Sequence, residues 1–399
     1  MENEYLLIVG GSYDQEPLIR KAKKLGYKTV VVDINEDLPG YKIADVKRKI
    51  STRDIEAGIK IAREFNVKGV LTNASESAIC TISAICDTLS LPGLPPKVAE
   101  KVTDKELMKI AFEKHNLPTP KFYLVKSKSE SFKAIKKLGY PCIIKPVDGA
   151  GSKGVLRIDK FEEIENAFNY SYSFSNKKRC LIEEFVEGVE MSADALSYQG
   201  ETGILAISDK KKEPNTKNNV AMHIVYPPRF SKEEILKAKK FIKAVVKAVG
   251  IENGPSHTEI IRRGKNDFVV LEIGARGGGF WTFSKVVSQI SGIDTLKQLI
   301  NFSVGKPIEI KPKRQNAAVL KFLSGKPGRI VKLGDSKKAN KTKGVISAGY
   351  FVKEGAIVKK VERDGDRVAY IIVCANNRRE AQNIANEVST ILKVKTEPL

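Results

Sequence analysis

Strand-sized apolar runs alternate with helical patterns over residues 1–102, and that alternation restricts how the chain can begin to fold. Residues 5–9 read as a buried strand, and residues 16–25 place Leu18, Ile19, Ala22 and Leu25 at helical spacing. A strand at 29–33, a helix at 54–65 with Asp54 near its start, a strand at 67–72 and a helix at 76–89 follow, and Leu91-Pro92-Gly93 ends the series. Strands separated by helices cannot pair as hairpins. They need crossover connections, which predict a parallel, doubly wound sheet.

With 399 residues the chain has room for two or three domains of ~100–200 residues each. Its longest apolar runs, such as 5–9 and 370–373, fall far short of the ~20 residues of a membrane span. The start, Met1-Glu2-Asn3-Glu4, is acidic and shows no signal peptide, so no membrane and a cytoplasmic location are expected. Cys80, Cys86, Cys142, Cys180 and Cys374 are scattered without metal-ligand spacing and read as buried thiols. The net charge of +22 raises nucleic acid or another polyanion as a partner. The lysines are mixed with acids and not interleaved with aromatics, as in residues 232–240, which favours a solvated surface and no nucleic acid.

Gly10-Gly11-Ser12 after the first strand offers a phosphate cradle, and Asp33 after the second a ribose partner, but G-x-G-x-x-G is missing. A pocket wall for a small substrate suits the loop better. Asn73-Ala74-Ser75-Glu76 belongs at the same sheet edge, where helix capping by Ser75 fits equally well. A helix at 103–114 is followed by a strand at 122–125, a helix at 129–138 and a strand at 141–145. The loop that comes next, Asp148-Gly149-Ala150-Gly151-Ser152-Lys153-Gly154, is the clearest phosphate signal: glycines let N–H groups converge on an anion, and Ser152 and Lys153 add a hydroxyl and a charge. The spacing is not that of a P-loop, and residues 155–158 read as a strand, so a hairpin folding over a nucleotide is expected, with Lys145 just before it. In the acidic hinge after residue 181, Glu183 or Glu184, Phe185 and the backbone near Val186 suit an adenine, and Glu190 a ribose. The same hinge also reads as a surface turn.

Residues 207–219, with Lys210-Lys211-Lys212, read as a mobile functional loop, and 231–249 as a long amphipathic helix. Two strands then each deliver a carboxylate, Glu259 and Glu272, across a turn at 263–267. Such a pair makes a hard oxygen site suited to Mg²⁺, and Arg276 with Gly277-Gly278-Gly279 stands where a phosphate would come. Two charged residues on a solvent-facing hairpin remain the plain alternative. His257 lies two residues before Glu259, on the same strand face, so it either touches the acceptor or packs. His115 reads as a C-terminal cap, His223 as a weaker candidate, and Trp281 as either an acceptor-pocket wall or core. An amphipathic segment at 283–304 precedes a region of short strands at 317–323, 345–348, 355–361 and 368–374, closed by a helix at 379–392.

Taken together, the chain resembles the ATP-grasp superfamily, in the branch that includes biotin carboxylase, carboxyaminoimidazole ribonucleotide synthase, carbamoyl-phosphate synthase and the L-amino acid ligases. The likeness covers nearly the whole chain and rests on "TDKELMK", "KPVDGAGSKGV", "IEEFVEGVEMS", "HTEI" and "LEIGARGGG". It implies an ATP-grasp fold of mixed α/β and α+β class. An N-terminal doubly wound α/β domain (1–102) would precede a two-part ATP-grasp region (103–307, with a lid at about 122–198) and a C-terminal β-rich α+β domain (308–399). By the resemblance, Lys105 and Lys145 would hold the α- and β-phosphates of ATP under the 149–154 loop. Glu183 and the backbone of Phe185 and Val186 would read adenine, and Glu190 would bind ribose. Glu259 and Glu272 would bridge Mg²⁺ (or Mn²⁺) to the β- and γ-phosphates, and Arg276 would stabilise the transferring phosphoryl group. Many members carry Asn two residues after the second metal Glu, where this chain has Gly274; in the L-amino acid ligase branch that Gly is usual.

The expected activity is an ADP-forming carboxylate–amine ligase that joins small metabolites, amino acids foremost, through an acyl phosphate. Bicarbonate activation for carboxylation or carbamoyl transfer is the alternative within the fold, and a non-catalytic polyanion-binding protein the alternative outside it. Relatives are often homodimers.

Overall fold

The computed structural model describes residues 4–212, 220–362 and 364–399. The expected parallel sheet is there, with four strands in the order Val46–Lys49, Lys28–Asp33, Tyr5–Val9, Gly69–Leu71. The chain winds outward through the first three strands and returns to the other side of Tyr5–Val9 for the fourth. A crevice therefore opens at the carboxyl ends of Tyr5–Val9 and Gly69–Leu71, where loops 10–15 and 73–76 begin, and in open α/β sheets this switch point is where ligands bind. Leu7, Val9, Val30, Val32 and Val70 fill one face of the sheet against Ile61 and Ala62 of the crossover helix Ile55–Glu64 and Ile85 of the following helix Ile79–Thr88. The strand Val46–Lys49, written Val-Lys-Arg-Lys, lacks an apolar run; it forms because it is an edge strand with alternating exposure. The expected cap at Ser75 is not made: its hydroxyl lies 3.2 Å from Ser77 Oγ and takes no helix N–H.

A second sheet, antiparallel throughout, orders Phe122–Val125, Cys180–Glu184, Cys142–Pro146 and Leu156–Ile158, with Lys128–Leu138 and Ile164–Ser173 packed on it. Its strands carry Lys145, Glu183 and the glycine loop.

The third sheet is the largest. Eight antiparallel strands run in the order Asp267–Gly274, Gly254–Gly264, Val189–Tyr198, Glu201–Lys212, Ala221–Tyr226, Ala317–Leu323, Ala369–Ala375, Val345–Tyr350. Pairing of His223 through Tyr226 with Lys321 through Ala318 continues the sheet from the central region into the C-terminal one. Lys105–Lys114 and Lys232–Val249 pack on one face through Met108, Phe112, Ile242, Val245 and Val246. Arg378–Ile391 covers the far end through Ala381, Ala385 and Val388.

Two further expectations are corrected. Lys210, Lys211 and Lys212 are the end of the Glu201–Lys212 strand and not part of a loop, while 213–219 lie outside the described residues. The amphipathic segment 283–304 is built of three pieces: Thr282–Val287 is wound as a π-helix, Ser288–Ser291 closes it, and Gly292 in the left-handed region (φ 71°) separates it from Thr295–Ser303. Cys80 is exposed and Cys374 is half-buried, whereas Cys86, Cys142 and Cys180 are buried as expected. No described helix is long and apolar enough to cross a membrane.

Candidate active site

The hairpin of Gly254–Gly264 and Asp267–Gly274 places Glu259 and Glu272 directly opposite each other. Their side chains are 35% and 27% exposed, open enough to meet a ligand. His257 shares Glu259's face, and across the other edge of its strand it pairs with Asp194. His257 Nδ1 lies 3.2 Å from Asp194 Oδ1 and Nε2 lies 3.8 Å from Glu259 Oε1. Burial alone would push the imidazole down, but Asp194 and Glu259 outweigh it and hold its pKa up. Asp194 Oδ1 also accepts from Gly278 N–H at 2.7 Å, which fixes the start of the triple glycine.

Each carboxylate is matched by lysine. Lys105 Nζ lies 3.1 Å from Glu272 Oε1 and donates to Gly149 O at 2.8 Å, so one ammonium ties the hairpin to the glycine loop. Lys210 Nζ lies 2.7 Å from Glu259 Oε1 and 3.1 Å from Glu190 Oε1; Lys212 holds Glu190 Oε2 at 2.7 Å. Desolvation would raise the Glu259 carboxyl, but Lys210 and His257 take it well below the usual carboxylate range. Lys145 donates to Glu183 Oε1 at 2.6 Å, and Lys109 pairs with Glu183 Oε2 at 2.9 Å. Burial acts to raise the Glu183 carboxyl, and the two lysine charges overcome it and hold it down at about 2. Arg276 Nε donates to Glu76 Oε2 at 2.9 Å; burial opposes its charge, and Glu76, Glu272 and Glu259 more than restore it.

Thus Lys105, Lys145, Glu183, Glu190, His257, Glu259, Glu272 and Arg276, drawn from three parts of the chain, form one charged cluster. Glu183 is committed to two lysines, while Glu184 Oε1 accepts from Lys121 N–H at 3.2 Å. Phe185 lies beneath the Arg157 guanidinium (4.3 Å), and Val186 packs with Ile261 and Val269. The glycine loop joins two paired strands as a hairpin. Asp148 anchors it through Ser175 Oγ (2.8 Å) and Asn176 N–H (3.0 Å). Ser152 and Lys153 stand exposed at its tip, and Gly154 (φ 77°) turns the chain back where a Cβ would come within 3.0 Å of Pro146 Cδ.

The cluster has the chemistry for a divalent cation and a polyphosphate. Among the described residues no group of three or more His, Cys, Asp or Glu could hold a metal by itself. Two opposed carboxylates are what Mg²⁺ takes when phosphate and water complete its oxygen shell, so the donor set fits. A surface cleft of ≈ 650 Å³ lined by Tyr198, Glu201, Ile308 and Lys311 lies at the other end of the Val189–Tyr198 strand from Glu190 and holds none of these groups.

The loops expected to contact substrate do converge. Gly277 N–H donates to Asn73 O at 2.9 Å, and Phe280 and Trp281 N–H donate to the two oxygens of Asp14 at 3.1 and 2.8 Å. Trp281 Nε1 donates to Tyr13 O at 2.8 Å. Asp33 is not free for a ribose; it accepts from Gly11 N–H at 2.9 Å and braces that loop. A Cβ on Gly274 would fall 2.7 Å from Glu76 Oε2, so a side chain there would have to shift the carboxylate that bridges to Arg276. Of the functional loop expected at 207–219, residues 213–219 lie outside the described residues.

Sequence reasoning gives four further residues no role in the charged cluster. Lys109 lies one helical turn after Lys105, a spacing that signals a shared face. Burial brings its ammonium down to about 8 against the pull of Glu183. Asp194 follows Glu190 and Ser192 at strand alternation, which was legible. Lys210 falls in the run 207–219 and Glu76 in the stretch 73–76, both singled out as functional segments, but nothing local marks either as the partner of Glu259 or Arg276.

The ATP-grasp domain family matches residues 138–284, and L-amino acid ligase C-terminal domain 2 matches 321–397. The L-arginine-specific L-amino acid ligase of Bacillus subtilis is 23% identical over 319 residues, 79% of this chain and 77% of that one. In fold, the chain superposes on an L-amino acid ligase from Bacillus licheniformis with TM-score 0.85 at 22% identity, covering all of both chains. It superposes on the biotin carboxylase domain of the Hydrogenobacter thermophilus 2-oxoglutarate carboxylase, solved with MgADP and bicarbonate, with TM-score 0.77 at 18% identity, covering 98% and 91%.

Proposed function

We propose that this chain, which matches the ATP-grasp domain family over residues 138–284, is an ADP-forming ligase that joins a small carboxylic acid to an amine, both amino acids, through an acyl phosphate. The observation that carries this reading is the opposed pair Glu259 and Glu272, facing lysines that bracket a glycine hairpin. A Mg²⁺ ion held by the two carboxylates would neutralise phosphate charge.

A carboxylate is a poor electrophile until one of its oxygens becomes part of a phosphate leaving group. In the proposed reaction that oxygen attacks the γ-phosphorus of ATP and ADP leaves. The amine then attacks the acyl carbon, inorganic phosphate leaves, and the amide forms with loss of the amine proton. Lys105 and Lys145 hold the phosphates, with Gly149, Gly151, Ser152, Lys153 and Gly154 closing over them to keep water from the acyl phosphate. Arg276 offsets charge on the phosphoryl group in flight. His257, held by Asp194, faces the acyl phosphate and orients it. The adenine would take its contacts from Glu184, Phe185 and the backbone of Val186, because Glu183 is held by Lys145 and Lys109, and Glu190 would serve the ribose. The reading also carries small-molecule partners, a cytoplasmic location and a homodimer, with the three regions 1–102, 103–307 and 308–399 as domains.

ADP release screened against pairs of amino acids tests this. Release that requires both an acid and an amine is expected. Release driven by bicarbonate alone, or never by an amine, would overturn it. In the same assay Glu272→Gln should lower turnover by about 10²-fold or more, since charge stabilisation of the transferring group is lost.

A further inference from the structure

Lys210 is a buried cation that the reaction outlined above does not use. Its side chain is 9% exposed, and its ammonium sits between Glu259 Oε1 at 2.7 Å and Glu190 Oε1 at 3.1 Å. Lys210 reaches this place from the strand Glu201–Lys212, two strands away from Gly254–Gly264 in the sheet, past the intervening strand that carries Glu190. Glu190 is already matched by Lys212 at 2.7 Å on its other oxygen, so it does not need Lys210 for charge balance. Glu272, the partner of Glu259 across the hairpin, has its own ammonium in Lys105. Lys210 is thus the one ammonium within salt-bridge distance of Glu259 among the described residues, at the carboxylate a divalent ion would use.

From this geometry we propose that Lys210 is an exchangeable internal cation that competes with the divalent ion for Glu259 and so makes cation binding depend on the nucleotide. The proposal rests on the reading of Glu259 and Glu272 as the cation site. Two like charges cannot share one carboxylate oxygen at contact distance without a large Coulomb cost. A divalent ion arriving at Glu259 must therefore send the Lys210 ammonium elsewhere. In the absence of a second anion that displacement strands a buried ammonium beside Glu190 alone; with phosphate oxygens in the site, the ammonium has a new partner. Nucleotide and cation then favour each other's binding, and by linkage the effect is reciprocal. Lys210 acts here as a positioning residue that orders assembly of the site.

The probe is Mn²⁺, with its dissociation constant measured by electron paramagnetic resonance on the whole protein, with and without ADP. Wild type should bind Mn²⁺ weakly alone and far more tightly with ADP. Lys210→Met, which keeps the length and loses the charge, should bind Mn²⁺ without ADP at least about tenfold more tightly than wild type, and the gain from ADP should shrink correspondingly. Lys210→Arg keeps the charge and should stay weak without ADP, which separates loss of charge from damage to the fold. Lys212→Met, which removes the ammonium on the other oxygen of Glu190 and leaves Lys210 on Glu259, should behave as wild type. Unchanged Mn²⁺ affinity and unchanged ADP coupling in Lys210→Met overturn the exchange role, provided Glu259→Gln loses Mn²⁺ binding. If Glu259→Gln and Glu272→Gln both bind Mn²⁺ as wild type does, the cation-site reading itself falls.

Discussion

Glu183 shows how much a single residue's meaning depends on neighbours that the sequence does not reveal. In the chain it is one of several acids in a hinge; in the structure both its oxygens are held by lysines, Lys145 from the next strand and Lys109 from a helix. Burial would favour the neutral acid, but the two charges win and keep the carboxyl near 2. Because the folded pKa lies below the ordinary carboxylate value, this residue's contribution to stability is fully present above about pH 4.3 and is lost as the pH falls through about 2. Glu183→Gln leaves two buried ammoniums without their counter-charge and should cost about 3–5 kcal/mol at neutral pH. Denaturant unfolding between pH 2 and 7 checks both points: the variant should show a smaller acid-dependent loss over that window than wild type.

At the scale of elements, the sequence was most readable where local signals and tertiary demands agree. The helix Lys232–Val249 begins at Ser231 with a reciprocal capping box to Glu234 and ends at Gly250 in the left-handed region (φ 87°). Its buried stripe, Ala238, Ile242, Val245, Val246 and Val249, follows the helical period that the residues themselves display. Ser231→Ala should destabilise the protein by about 1 kcal/mol, measurable as a lower denaturant midpoint with turnover retained, because the cap lies away from the charged cluster. The strand Glu201–Lys212 is the opposite case. Its polar end forms a strand because Asp209, Lys210 and Lys211 pair with Val225, Ile224 and His223 of the next strand, a partner that the propensities of the lysine run do not announce. The segment 283–304 has a helical period but breaks, since loop 276–282 and Asp14 fix its entry and Gly292 permits the exit.

For the whole molecule, the N-terminal sheet and the large antiparallel sheet meet at loops 10–15, 73–76 and 276–282. Asp14 is the clamp: both its oxygens accept N–H groups from Phe280 and Trp281, whose φ values of 49° and 56° are costly for such bulky residues and need that support. Asp14→Ala leaves two donors without an acceptor and should cost about 1–3 kcal/mol of stability. Turnover should fall while ADP affinity, measured by titration calorimetry, stays near wild type, because in the proposed reaction the clamp would serve the acceptor and not the nucleotide held by Lys105 and Lys145. An equal loss of ADP affinity would contradict that division. By itself the sequence determined the parallel N-terminal sheet, the carboxylate hairpin with His257 on the face of Glu259, and the glycine loop beyond Lys145, since each follows from periodicity or turn chemistry within a few tens of residues. Only the tertiary structure decided that the C-terminal strands extend the central sheet, that Glu76 reaches Arg276 past the space left at Gly274, and that Lys210 lies on Glu259. Those contacts join residues tens to hundreds of positions apart, and a charge carries no mark in the sequence of which opposite charge the fold will bring beside it.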